Sequence, residues 1–92
     1  MLDAVASRFR LLGDPTRLRI LSRLFADGEA TVQALAEGSG QSHANVSKHL
    51  RLLAAEGLVA SRREGTFAHY RISDPSLERV CAVMCAQLTE GA

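Results

Sequence analysis

The sequence predicts a mainly α-helical domain that carries a β-hairpin, and three stretches predict it. Thr31–Val59, TVQALAEGSGQSHANVSKHLRLLAAEGLV, reads as two helices joined by a tight Gly/Ser turn. Leu58–Ile72 then changes from a helical to an alternating period around Gly65, as a hairpin does. Asp14-Pro15 and Asp74-Pro75 are start signals for further helices on either side. The expected order is five helices with two strands between the fourth and fifth, a helix-turn-helix followed by a wing.

The first helix is expected over Leu2–Leu12, because Leu2, Val5, Phe9 and Leu12 recur at helical spacing and Gly13 ends the pattern. Asp14 caps the second helix, Pro15–Ala26, which is expected to bury Leu18, Leu21, Leu24 and Phe25 and to leave Arg17, Arg19 and Arg23 largely on its other side, as a solvated face or, alternatively, in occasional contact with a phosphate. Thr31 caps a short third helix, Val32–Glu37, and Gly38, Ser39 and Gly40 break it. Ser42 caps the fourth, Ser42–Glu56, and Gly57 offers the left-handed conformation that ends it. Strand-like runs flank Arg63-Glu64-Gly65-Thr66, and a last helix over Pro75–Leu88 carries Leu77, Val80, Cys81, Met84, Cys85 and Leu88 as a broad apolar stripe.

The fourth helix has two chemically distinct sides. At about 100° per residue, Val46, Leu50 and Leu53 share one direction while Ala44, Ser47, Lys48 and Arg51 point away. One side is core and the other is suited to a DNA groove. The candidate DNA-binding residues are therefore Ser42, His43, Ala44, Asn45, Ser47, Lys48 and Arg51 on this helix, with Arg62 and Arg63 on the wing. His43, Ala44, Asn45 and Ser47 are expected to reach base edges, and the four cations to meet phosphates or the minor groove.

Charge distribution supports the same reading. The chain's formal net charge is only +1, which argues against indiscriminate coating of nucleic acid. From Ser42 to Arg71, however, five cations (Lys48, Arg51, Arg62, Arg63, Arg71) stand against Glu56 and Glu64, a local +3. At 92 residues and 47% hydrophobic the chain is expected to form one domain, residues 1–92, whose modest core a permanent partner would help. Apolar stripes on the first and last helices exceed what this core can cover, so a two-fold homodimer is expected, with double-stranded DNA as its ligand. No apolar run approaches a membrane span and no secretory leader pattern is present, so a cytoplasmic protein without membrane contact is expected. There is no phosphate loop, nucleophile elbow or catalytic carboxylate pair in the sequence, and no enzymatic activity is expected.

LGDPTRLRIL at Leu12–Leu21, SHANVSKHLRLLAAEGLV at Ser42–Val59 and RREGTFAHYRI at Arg62–Ile72 resemble the winged helix-turn-helix repressors of the ArsR/SmtB family in order and spacing. The resemblance implies a homodimer formed by the first and last helices, which releases operator DNA when an inducer binds or a thiol is modified. Two inducer sites common in that family do not carry over. Thr31–Glu37 contains no cysteine, and residues 74–92 contain no histidine.

What remains is Cys81 and Cys85, four apart and on one helix face. Three readings stay open for them: packing in a dimer seam, thiol-based sensing, or binding of a soft metal or metalloid ion. His43 is expected at DNA, His49 in a half-buried packing role and His69 in a structural one. A second class of function, a winged helix that binds protein instead of DNA, would have no need of cations on both the fourth helix and the wing.

Overall fold

Three polar side chains start helices where the sequence places them. Asp14 accepts the Arg17 backbone N–H at 3.1 Å, Thr31 accepts that of Ala34 at 3.1 Å, and Ser42 accepts that of Asn45 at 3.0 Å. Each satisfies one of the N–H groups that a helix start leaves without an intrahelical acceptor. The computed structural model describes residues 1–91. Its elements run α1 (Leu2–Leu12), α2 (Pro15–Asp27), β1 (Ala30–Thr31), α3 (Val32–Ser39), α4 (His43–Ala55), β2 (Val59–Glu64), β3 (Phe67–Ile72) and α5 (Ser76–Gly91).

The expected five helices and hairpin are present, and a third strand joins them. β1 pairs antiparallel with β3 through Ala30–Tyr70 and Thr31–His69, giving a sheet ordered β1-β3-β2. Two residues are too short a run for any period to show in the sequence. Element boundaries also move: α2 ends at Asp27 and not Ala26, α4 is one residue shorter at each end than expected, and α5 is Ser76–Gly91 where Pro75–Leu88 was expected. α3 continues through Gly38 to Ser39, and only Gly40, at φ 73°, takes the left-handed conformation that stops it. In the wing, Arg63 and Glu64 belong to β2, with Glu64 opposite Phe67, so the turn is only Gly65-Thr66.

The helix-turn-helix is fixed from below. Val46, Leu50 and Leu53 of α4 are fully buried against Ile20, Leu21, Leu24, Val32, Leu35, Leu58, Val59 and Tyr70. At its end, Leu58 N–H donates to the Leu53 carbonyl and Gly57 N–H to that of Ala54. This is the Schellman arrangement, and it turns the chain directly into β2.

α2 is rotated relative to expectation. Ile20, Leu21 and Leu24 are buried, whereas Leu18 is 41% exposed and Phe25 only partly buried. The buried arc is centred near Leu24, which leaves Leu18 and Phe25 at its edge, beside Cys81 and Cys85 of α5.

α1 contains no buried residue. Leu2, Val5 and Phe9 on this helix and Val80, Val83, Met84 and Leu88 on α5 are exposed, and among the described residues of α5 only Leu77 joins the core. Polar ties hold the two helices to the body. Arg8 donates to the Asp74 carboxylate at 2.7 Å and to the Glu56 carbonyl at 3.3 Å, and Ser7 donates to the Glu56 carboxylate at 3.1 Å. The apolar stripes of α1 and α5 are thus held beside one another, facing outward.

Candidate nucleic-acid interface

The outward side of α4 and the inner face of the wing form one concave surface. His43, Ser47 and Arg51 of α4 line it together with Arg63, Thr66 and Phe67 of the hairpin. Arg51 donates to the Ser47 hydroxyl at 3.2 Å, which holds the guanidinium along the helix. Lys48 and Ala44 lie on the same helix, Ala44 exposed and Lys48 part of its outward side. A cleft bounded by a helix and a strand, bearing Arg51 and Arg63 with Lys48 nearby, presents cations and hydrogen-bonding groups on one side of the molecule.

At the start of α4 the predicted side chains take distinct positions. His43 is exposed. The Ser42 oxygen is occupied by the Asn45 backbone N–H, and the Asn45 side-chain amide donates to Gln41. Ser42 and Asn45 thus hold the turn in shape, and the Ser42 O–H, the second Asn45 N–H and the Asn45 side-chain carbonyl can still serve a further partner.

Arg62 and Arg63 separate. Successive residues of a strand face opposite sides of a sheet, and Arg62 pairs across from His69 while Arg63 pairs across from Ala68. Arg63 faces the α4 side and has no ion pair among the described residues. Arg62 lies on the other face, donating to Glu29 through Nη2 at 2.6 Å and Nε at 3.1 Å, and to Glu64 through Nη1 at 2.9 Å. The Arg62 hydrogen bonds hold the Glu29 carboxyl below its ordinary range, and these two carboxylates hold the Arg62 guanidinium firmly protonated. The two arginines that the sequence groups as wing cations thus lie on opposite faces of the hairpin, because adjacency in sequence is opposition in a strand.

Arg17 departs from expectation as well. Its Nε donates to Nδ1 of His49 at 3.1 Å and its Nη1 donates to the Leu11 carbonyl at 3.4 Å. It links α2 and the α1–α2 corner to α4. No periodicity in the sequence signals a bond between residues 32 apart. His69 lies 3.6 Å from Glu29 and 3.8 Å from Glu64 at the edge of the Arg62 cluster.

Cys81 is partly buried and Cys85 exposed, both free thiols. They border an apolar groove with Leu18 and Phe25 of α2. Burial, and then the neighbouring Cys85, push the Cys81 thiol up, which lowers its thiolate fraction and so its reactivity. Among the described residues no group of three or more His, Cys, Asp or Glu side chains is arranged to hold a metal ion. Two thiols on one helix do not by themselves complete a soft-metal site.

A helix-turn-helix domain family matches residues 12–62, from the end of α1 into β2. Over 84 residues the chain is 39% identical to an HTH-type transcriptional regulator of Mycobacterium tuberculosis, covering 91% of this chain and 37% of that protein. Over 65 residues it is 42% identical to the arsenical resistance operon repressor of Escherichia coli, covering 71% and 56% respectively. The chain thus spans about a third to just over half the length of these relatives. It is similar in structure to a homodimeric winged helix-turn-helix DNA-binding domain from Mycobacterium bovis, described as a possible ArsR-family transcriptional regulator. That match has a TM-score of 0.85 and 36% identity, over 99% of this chain and 86% of that one.

Proposed function

Because the chain belongs to the ArsR/SmtB family of winged helix-turn-helix transcriptional regulators, we propose that it is a homodimeric repressor that binds a palindromic operator and has no catalytic role. The observation that carries this reading is the concave surface that joins His43, Ser47 and Arg51 of α4 to Arg63 of the wing. α4 enters the major groove with His43, Ala44 and Ser47 toward base edges. Lys48 and Arg51 meet phosphates, and Arg63 reaches the backbone or the adjacent minor groove. The residues act as one DNA-binding domain in the cytoplasm, paired through the exposed stripes of α1 and α5.

The two wing arginines give the test. Arg63→Ala is expected to weaken binding to all sequences alike and to reduce the slope of log affinity against log salt by about one for each phosphate that Arg63 neutralises. Salt titrations of Arg63→Ala by fluorescence anisotropy, on operator and on random duplex, check this. A change in base preference with the salt slope intact would contradict the assignment of Arg63 to the backbone.

For the inducer, the raised Cys81 thiol and the apolar neighbours of the pair support packing over chemical sensing. A Cys81→Ser, Cys85→Ser variant is expected to bind operator like the parent, and oxidant, persulfide, Zn(II) and As(III) are expected to affect both proteins equally. Loss of operator binding on As(III) or oxidant in the parent alone would restore the sensor reading.

A further inference from the structure

Glu29 immediately precedes β1, two residues before Thr31. The pairings Thr31–His69 and His69–Arg62 form one row across β1, β3 and β2, and Glu29 reaches over that row to Arg62. Its two oxygens take two separate N–H groups of the same guanidinium, at 2.6 and 3.1 Å, a forked geometry that a point charge cannot reproduce. Ser61 to Phe67 are otherwise exposed. Beyond its own ladder, the end of the hairpin is tied to the body through this fork.

We propose that Glu29 is a positioning residue for DNA binding: by gripping Arg62 it sets the angle of the wing and thereby the place of Arg63 over the groove. The proposal rests on the operator-binding reading above. It also explains the separation of the two arginines. The outer face balances Arg62 and Arg71 against Glu29 and Glu64, with His69 between the carboxylates, while the inner face keeps the cation that DNA meets. Glu29 and its partners lie away from the cleft of α4 and Arg63, so the effect passes through wing geometry.

Simple electrostatics and the clamp predict opposite results. Removing a carboxylate from a protein that binds a polyanion should tighten binding, and Arg62→Lys, which keeps the charge, should leave it unchanged. The clamp predicts that Glu29→Gln and Arg62→Lys each weaken operator binding by about threefold to fivefold, as breaking a well-formed surface pair would. It further predicts that the double variant is no weaker than either single, because both act on one ion pair.

The measurement is an anisotropy titration of the parent protein, both single variants and the double variant on the operator duplex, with amide exchange at Arg62–Thr66 in the DNA-free proteins. The expected result is weaker binding, non-additivity and faster exchange in all three variants. Glu29→Gln binding as tightly as the parent or tighter, whatever its exchange, would overturn the clamp and leave the repressor reading intact. A parent that binds no duplex from its own upstream region would overturn the repressor reading instead, while the exchange rates still report on the wing.

Discussion

Replacing Phe9 with glutamate is expected to give a folded monomer whose operator binding is at least about a hundredfold weaker than the parent's. Phe9 is 58% exposed in the single chain and lies in a shallow apolar groove with Val5, Leu12, Leu77 and Val80. Its replacement by a polar residue therefore leaves the core untouched. In a dimer paired through α1 and α5 the same position is covered, and the cation that borders this groove, Arg8, is already paired with Asp74. An uncompensated buried charge costs about 3–5 kcal/mol, equivalent to a factor of roughly a hundred or more in the dimerisation constant. A two-fold interface contains the substitution twice. Because half-site binding alone lacks the second reading helix, operator affinity falls with the dimer. Sedimentation velocity at micromolar concentration checks the first step and anisotropy the second; a Phe9→Glu dimer with parental affinity would place the interface elsewhere.

The second large effect lies under α4. Leu50→Ala is expected to destabilise the domain by about 2–5 kcal/mol, as cavity-forming Leu→Ala changes do. At fixed protein concentration that should lower the melting temperature by on the order of 10–30 °C in a domain of this size. Leu50 has no exposed surface and packs in the same cluster as Val46 and Leu53 from α4, Leu21 from α2 and Leu35 from α3. Its removal loosens the joint that holds the reading helix to its scaffold. Ala44→Gly, on the exposed side of the same helix, removes only a methyl group at its first turn and should change stability by less than about 1 kcal/mol. Thermal melts followed by circular dichroism compare the two. Equal stability losses would mean that α4 does not carry the core on its Val46–Leu50–Leu53 side.

Much of the fold was legible because local signals agreed with the tertiary outcome. Asp14, Thr31 and Ser42 announce helix starts through side-chain chemistry that acts within three residues, and each makes the expected bond. The Val46, Leu50 and Leu53 spacing gives the buried side of α4 without knowledge of what it packs against. What escaped depends on distant partners. β1 exists only because Ala30 and Thr31 meet Tyr70 and His69, and Glu29 carries no sequence signal until that pairing brings it level with Arg62. Arg17 has the helical phase of a solvated residue, yet its length lets it reach His49.

The separation of Arg62 from Arg63 is a matter of register. Strand alternation divides Ala68, Tyr70 and Ile72 from Phe67, His69 and Arg71, and the same rule on the strand opposite sends neighbouring arginines to different faces. Leu18 is a subtler case. Helical phase predicts an apolar arc on α2 but not its centre, and a shift toward Ile20 leaves Leu18 at the rim. The residue types proposed for the DNA face can be read from the sequence, whereas the placing of Arg62 and Arg63 on opposite faces of the hairpin needs the strand pairing.

The central claim is that two α4 helices, held by one α1/α5 dimer, read the two halves of one operator. Hydroxyl-radical and methylation footprinting of the parent protein on its own upstream region tests it most directly. The account predicts two protected major-groove segments on one face of the duplex, with centres about 10 base pairs apart and related by an imperfect dyad. Protection of one unpaired half-site by a monomer would contradict it.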